Sequence, residues 1–274
     1  MYRALLTAIK PGRSQDVVIE YSLSLAERYH LEVDACSVID QARLAPSEPV
    51  PLGAGAFKAE RDERAMASAR QHAAELKASI EAGAISRGVK CSAQVREGDT
   101  VNVLSNAVGR CDALVCGHTP GGDSTEQSML HSILKHCPRP AIIVPHADFE
   151  VGKDVMVAYD GSAQAARALA SFAESGLANG RPVRIVTFDA GTGTAKEHAE
   201  IAHAFLQRHG IASEMRVEKM TRDIGGQILA EVQRVPTSML VMGAFGRSAV
   251  REFFFGSVSR CILNVLPVPV FLNH

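Results

Sequence analysis

The sequence has 274 residues, 46% of them hydrophobic and 22% charged, which is typical of an ordinary soluble globular protein with one or two domains. Lys plus Arg number 29 and Asp plus Glu number 30, so the formal net charge of -1 gives no global field that would attract nucleic acid or an anionic membrane. The longest apolar runs, such as residues 239–242 and 268–272, are far shorter than the roughly 20 residues of a membrane span. We therefore expect no nucleic-acid or membrane partner, and any anionic ligand needs a local site.

The sequence carries none of the common local signals for secretion, metal binding or catalysis. Its first ten residues lack the basic segment, apolar core and cleavage site of a secretory signal, which predicts a cytoplasmic protein. The six cysteines form no CxxC pair, which favours buried free thiols over disulfides. His198 and His203 are five residues apart, as are His131 and His136, whereas two ligands on one helical face need a spacing of three or four. We expect no metal site, and the absence of GxSxG, HExxH, P-loop and GxGxxG motifs points to no catalytic residue.

Short apolar segments that predict strands alternate with amphipathic segments that predict helices along the whole chain. In the first half, strands are predicted at residues 4–9, 32–39, 90–97, 113–117 and 141–144, with a long helix at 58–84. In the second half, strands are predicted at 155–159, 183–188, 213–218, 239–242 and 268–272, with helices at 163–175, 195–209 and 224–234. Because parallel strands need a crossover that covers the sheet, the alternation predicts an α/β fold with doubly wound parallel sheets.

The two halves of the sequence repeat one design. Residues 5–9 match 155–159 at an offset of 150, and the offset falls to 126 where residues 114–117 match 240–243. The first half is therefore longer between its second and fourth strands, by the difference of 24 residues. We predict two domains, residues 1–147 and 152–274, each with a five-stranded sheet.

Part of the extra length is a segment rich in proline and glycine, residues 41–57. Prolines 46, 49 and 51 and glycines 53 and 55 predict a flexible loop without regular structure after the second strand. Such a loop acts either as a lid or as a plain surface excursion, and the sequence leaves both interpretations open.

The most specific local signal is Gly243-Ala244-Phe245-Gly246, followed after nine residues by Gly256-Ser257 at the start of a helical pattern. Glycines at a strand exit let backbone amides approach an anion, and a helix starting at Gly256 offers free N–H groups and the positive end of its dipole. Two ordinary turns are the alternative interpretation of this pattern.

Asp160-Gly161-Ser162 stands at the carboxyl end of the first strand of the same half. Ligands of open α/β sheets bind at the carboxyl ends of strands, so Asp160 and the glycine loop are expected to converge on one crevice. Asp160 would accept hydrogen bonds from a ribose or an adenine edge. The alternative is that Asp160 or Ser162 only caps the following helix.

Residues 155–162 and, above all, the spacing Gly243-x2-Gly246-x9-Gly256-Ser257 resemble the universal stress protein family, in a tandem form with two domains in one chain. The resemblance implies Rossmann-like domains of the adenine nucleotide alpha hydrolase type, packed as an intramolecular pseudo-dimer through the final strands, with or without further homodimerisation. It also implies ATP, with or without Mg²⁺, in the second domain. Phe188 would lie beside the adenine, or else be a plain core aromatic. The implied contacts are Asp160, Gly161, Ser162, Phe188, Met242, Gly243, Gly246, Arg247, Gly256, Ser257 and Val258.

The first half departs from this pattern at each position. Lys10 stands where the second half has Asp160, Pro120 replaces the second glycine, and Gln127-Ser128 replaces Gly256-Ser257. A proline at that point offers no N–H, so we expect no ATP binding of the family kind in the first domain. The resemblance implies a nucleotide-dependent regulator or interaction protein of the stress response. A slow ATPase using the same site and a nucleotide-free interaction scaffold are the alternatives.

Overall fold

The computed structural model describes residues 1–10, 15–49, 51, 53–122, 124–146, 149, 152–244 and 256–274. In chain order the elements are β1 (Ala4–Ile9), α1 (Gln15–Tyr29), β2 (Glu32–Ile39), α2 (Gln41–Leu44), α3 (Gly55–Arg87), β3 (Cys91–Glu97), α4 (Thr100–Val108), β4 (Ala113–His118), α5 (Ser124–His136), β5 (Ala141–Pro145), β6 (Asp154–Ala158), α6 (Ala163–Ser175), β7 (Val183–Asp189), α7 (Thr194–Arg208), β8 (Ser213–Lys219), α8 (Ile224–Arg234), β9 (Thr237–Gly243), α9 (Ser257–Val265) and β10 (Val270–Asn273).

The chain forms two compact units. The N-terminal unit, Arg3–Gly117 with Ser132–Pro138, holds parallel strands in the order β3-β2-β1-β4. The C-terminal unit holds Met1–Tyr2, His118–His131 and Arg139–His274. Its strand order is β5-β10-β9-β6-β7-β8, and every pair is parallel except β5 with β10. The predicted α/β class with doubly wound parallel sheets is confirmed.

The central strands of the C-terminal unit form its core. Every residue of β9 except Gly243 is buried, as expected for a strand covered on both faces by crossover helices. Phe172 of α6 and Phe271 of β10 are fully buried and meet edge to face with ring centroids 5.9 Å apart. This contact attaches α6 to the sheet, and each ring buries roughly 150–250 Å².

The final strands of the two sequence halves pair with each other, as the family resemblance implies. Within the C-terminal unit, β5 and β10 run antiparallel, with Ile143 opposite Val270 and Ile142 opposite Phe271. All four side chains are completely buried, so the pairing joins apolar surface as well as backbone.

The structure corrects the prediction that residues 41–57 lack regular structure. Residues Gln41–Leu44 form the short helix α2, and α3 begins at Gly55, inside the predicted loop. A helix usually ends at or before the residue that precedes a proline, so Pro46 permits α2, which ends at Leu44. Helix α3 has 33 residues, whereas α7 has 15. This difference accounts for most of the extra length of the first half. Among the described residues, no helix has both the length and the apolar character needed to cross a bilayer.

A buried group of charges lies between β7, β8 and α8. Arg184 is 7% exposed, with Nη1 3.4 Å from Glu231 Oε2 and Nη2 donating to Thr237 Oγ1 at 3.3 Å. Arg234 Nη2 donates to Glu231 Oε2 at 2.9 Å, and Arg216 Nε lies 3.4 Å from the same oxygen. The hydrogen bonds from Arg234 hold the pKa of the Glu231 carboxyl below its ordinary value, and the charges of Arg216 and Arg184 add to this effect. The Glu231 carboxylate is therefore shared by three guanidinium groups, of which Arg216 also pairs with Glu218.

We expect Glu231→Ala to lower the free energy of unfolding at pH 7 by about 3 kcal/mol, because Arg184 would stay buried without its carboxylate. The measurement is equilibrium denaturant unfolding of the whole chain. Because the folded-state pKa of Glu231 is lowered, its contribution is present above the ordinary glutamate pKa and is lost as the pH falls through the folded-state pKa. The difference between variant and wild type should therefore shrink in acid.

Glu200→Ala is the matched control, since Glu200 forms an exposed ion pair with Lys196 on α7. Exposed pairs of this kind contribute at most about 1 kcal/mol, and i,i+4 pairs about 0.3–0.5 kcal/mol. A Glu231→Ala variant no less stable than Glu200→Ala would show that the buried group is not a net source of stability.

Candidate functional site

The carboxyl ends of β6, β7 and β9 surround a cavity of about 340 Å³ in the C-terminal unit, a volume within the range of small-molecule sites. Its walls come from the exits of these three strands, the first turns of α6 and α9, and one face of α8. The lining residues are Ala158, Tyr159, Asp160, Ser162, Gln164, Ala165, Phe188, Met220, Ile224, Ile228, Met242, Gly243, Gly256, Ser257, Val258 and Ser259.

The turn after β6 presents a carboxylate to the cavity. Asp160 Oδ1 accepts a hydrogen bond from the Ser162 amide at 2.9 Å, and Ser162 Oγ caps α6 by accepting from the Ala165 amide at 3.2 Å. The capping role that the sequence allows thus belongs to Ser162, while Asp160 lies in the lining of the cavity. Burial raises the pKa of the neighbouring Tyr159 phenol and the Asp160 charge raises it further, so this phenol is neutral.

Two glycines let backbone segments approach closely around this turn. Gly161 has φ +74°, and a Cβ built on it would lie 2.6 Å from the imidazole of His198 on α7. Gly243, at the exit of β9, lies against the start of α6, where a Cβ would be 2.5 Å from the Ala165 nitrogen. Real Cβ atoms do not approach backbone this closely, so the end of β9 and the start of α6 can adjoin only because residue 243 is glycine.

One wall of the cavity is apolar. Phe188 and Met242 were predicted from the sequence, and Phe188 is half-buried at this wall rather than enclosed in the core. Met220 and the α8 residues Ile224 and Ile228 complete the wall and were not predicted. In the sequence, these two isoleucines are indicated by their four-residue spacing at the start of a helix that follows the end of a strand.

The N-terminus of α9 differs from the other helix starts at the cavity. Ser162 caps α6, and Asp223 caps α8 by accepting from the Gly226 amide at 2.9 Å. In contrast, α9 begins after Gly256, which has no side chain and makes no capping hydrogen bond. The first-turn residues Ser257, Val258 and Ser259 of α9 line the cavity, and Ser257 is exposed.

The structure brings eight of the eleven predicted contacts to this one cavity. Gly161 does not line the cavity and instead packs against the imidazole of His198. Gly246 and Arg247, together with the Phe253–Phe255 cluster, lie outside the described residues. Among the lining residues in the described part of the chain there is no lysine or arginine, and Asp160 is the one carboxylate.

The corresponding segments of the first half are built differently. By the offset of 129, Ser128 is the counterpart of Ser257, the first residue of α9, yet it is the fifth residue of α5. Both helices end at corresponding positions, His136 and Val265, so α5 has one additional turn at its N-terminus. The amide of Ser128 is therefore inside a helix, where it bonds to a carbonyl and cannot serve an anion.

Comparison with known proteins identifies relatives over the whole chain. The model of the Universal stress protein family matches residues 1–145 and again 152–273. The universal stress protein Slr1230 of Synechocystis sp. (strain ATCC 27184 / PCC 6803 / Kazusa) is 25% identical over 183 residues, which are 64% of this chain and 62% of that protein. The match thus spans less than two thirds of the relative's length.

Solved structures show the same fold. A universal stress protein from Archaeoglobus fulgidus DSM 4304 superposes with a TM-score of 0.71 at 21% identity, over 98% of this chain and 97% of its own. The functionally unknown protein PA1789 from Pseudomonas aeruginosa PAO1 superposes with a TM-score of 0.64 at 12% identity, over 99% of this chain and 92% of its own.

We expect Gly243→Ala to lower the free energy of unfolding by about 1–3 kcal/mol, the usual cost of overpacking, because its Cβ would overlap the backbone of α6. Gly55→Ala is the control, since a Cβ there meets no atom within 4 Å. Denaturant unfolding of both variants measures the difference. Equal stability of the two would mean that β9 and α6 can separate without cost.

Proposed function

The chain belongs to the universal stress protein family, and from this premise we propose that it binds ATP at the cavity of the C-terminal unit. We further propose that the bound nucleotide regulates the contacts of the protein in a stress response. The N-terminal domain binds no ATP in this manner, so one chain takes one nucleotide.

The observation that carries the proposal is the polarity of the cavity. Phe188 and Met220, where β7 and β8 end, form an apolar wall that suits a flat, weakly polar base. Asp160, where the neighbouring strand β6 ends, would accept hydrogen bonds from ribose hydroxyl groups through its carboxylate. At the next strand exit, that of β9, we assign the phosphates to the first-turn amides of α9, which Gly256 leaves without a side-chain cap, and to the Ser257 hydroxyl. A nucleotide has these three parts in this order.

The restriction to one site rests on the difference between α5 and α9. In α9 the first-turn amides adjoin the cavity, whereas the counterpart of Ser257 in α5 lies within the helix. The side chain of Gln127 is also engaged, since its Nε2 donates to the Gly122 carbonyl oxygen at 3.0 Å. The first half therefore lacks the amide donors that the proposal assigns to phosphate binding in the second half.

Titration calorimetry of the full chain with ATP should give one site per chain. Asp160→Ala should weaken ATP binding roughly 10- to 100-fold, since a hydrogen bond to a charged group contributes about 1.5–3 kcal/mol. Asp189→Ala is the matched control: Asp189 also ends a strand and accepts from the amides of Gly191 and Gly193, but it does not line the cavity. Its ATP affinity should stay near that of the wild type.

Two outcomes of this titration would contradict the proposal. Two sites per chain would contradict the restriction to the second domain. Equal losses in Asp160→Ala and Asp189→Ala would contradict the assigned position of the nucleoside. Phosphate release measured in the same samples, and abolished by Gly256→Val, would indicate the slow ATPase instead of a binding protein.

The regulatory part of the proposal rests on the continuity of α9 with the paired strands. The first turn of α9 lines the cavity, and its last residue is followed by Leu266, with φ +39°, which turns the chain toward β10. Strand β10 in turn pairs with β5 of the other sequence half. A ligand that orders α9 therefore acts one element away from this pairing.

Hydrogen exchange tests this connection. At saturating ATP, the amides of β10 and β5 should exchange at least about tenfold more slowly, because a ligand that binds only the folded state suppresses opening. Amides of β2 and β3 in the N-terminal unit are the reference and should change less. Equal slowing of exchange in both units, or no slowing in β10, would contradict the proposed regulation and leave nucleotide binding uncontradicted.

A further inference from the structure

Helices α8 and α9 approach each other closely at one pair of residues. Gly225, the second residue of α8, is buried against Cys261 of α9. A Cβ built on Gly225 would lie 2.7 Å from both Cβ and Sγ of Cys261, closer than real Cβ atoms come to other atoms. The distance between the two helices at this point therefore depends on the absence of a side chain at residue 225.

This contact joins two helices that both line the cavity. Gly225 follows Ile224 and precedes Ile228 by three residues, and both isoleucines line the apolar wall. Cys261 comes three residues after Val258 and four after Ser257, which line the end at the α9 amides. Residues three or four apart lie on the same face of a helix. On each of the two helices, the residue that makes the close contact therefore lies near the residues that line the cavity.

The start of α8 is held from its other side as well. Asp223 caps α8, and the Gln227 side chain bonds the Thr221 amide at 2.7 Å and the Lys219 carbonyl at 2.8 Å. These bonds connect α8 to the end of β8. Because α8 is held in this way, a larger side chain between α8 and α9 would displace mainly α9, which carries the amides proposed to hold phosphate.

We propose that the contact of Gly225 with Cys261 fixes the spacing of α8 and α9, and thereby determines whether one ligand can reach the apolar wall and the α9 amides together. Gly225 and Cys261 are positioning residues in this role, since neither lines the cavity. The inference rests on the proposed function and deepens it. It predicts that the spacing matters for ATP, which spans both ends, much more than for adenosine, which reaches only the apolar wall and Asp160.

The test is titration of the full chain with ATP and, separately, with adenosine. Gly225→Ala should lower the ATP affinity at least about tenfold and the adenosine affinity by less than about threefold, as overpacking displaces one helix. The double variant Gly225→Ala with Cys261→Gly removes both atoms that the new methyl would meet, and it should restore the ratio of the two affinities. Cys261→Val, which adds bulk from the side of α9, should change that ratio in the same direction as Gly225→Ala.

Leu206→Ala is the control for a loss of stability alone. Leu206 is completely buried on α7 and does not line the cavity, so its truncation should lower the thermal midpoint and leave the ratio of ATP to adenosine affinity unchanged. A wild-type ratio in both Gly225→Ala and Cys261→Val, or no restoration in the double variant, would overturn this inference while ATP binding by the wild type still stands. A wild type that binds no ATP would overturn the proposed function and this inference with it.

Discussion

The contact between the end of β9 and the start of α6 is the constraint on which the site depends. Strands β6 and β9 are paired neighbours, with Ala158 opposite Met242. Because Gly243 has no side chain, the backbone leaving β9 adjoins the Ala165 amide at the start of α6. This fixes the Asp160 turn beside the exit of β9 and lets α6 lie on the sheet, where Phe172 reaches Phe271. The cavity and the core on that side therefore both depend on this one close backbone contact.

The two sequence halves show how a small change in a repeated fold alters its chemistry. Helices α5 and α9 end at corresponding residues, but α5 starts four residues earlier by the offset of the final strands. In a helix the free amides are confined to the first turn, so a shift of one turn moves them away from the position that Ser257 has in the second half. The strands that precede and follow each helix are kept. The free amides can thus be moved by one helical turn without any change in the sheet.

Most of the fold could be predicted from the sequence because the strands are short apolar runs between polar or glycine-rich segments. Strands β1 and β2 and helices α6 and α8 have the predicted bounds, and the other strands differ by one or two residues at one or both ends. The error at residues 41–57 came from treating proline and glycine as breakers of a whole segment, although their effect is local. Gly55 even opens α3, where a helix start tolerates it.

The candidate site was less predictable, because part of it depends on which helix covers which strand exit. Asp160, Gly243 and Gly256 stand directly at strand exits or a helix start and could be predicted from their positions alone. Ile224 and Ile228 have the spacing of any core-facing helix pair, and only the fold shows that the wall they form is open to a ligand. The close contact of Gly225 with Cys261 has no signal in the sequence, since a glycine inside a helix indicates close packing but does not identify the residue against which it packs.

The charges of the described lining also favour one orientation of the nucleotide that we propose for this cavity. Asp160 is exposed, and two like unit charges about 4 Å apart repel each other by about 1 kcal/mol in bulk water. Asp160 would therefore disfavour the phosphates beside β6 and favour hydroxyl donors there. The positive end of the α9 dipole would favour the phosphates at the exit of β9 and offers nothing to a base. The carboxylate and the helix start thus act together: each makes the reversed orientation unfavourable, and neither needs a net positive charge on a protein whose formal charge is -1.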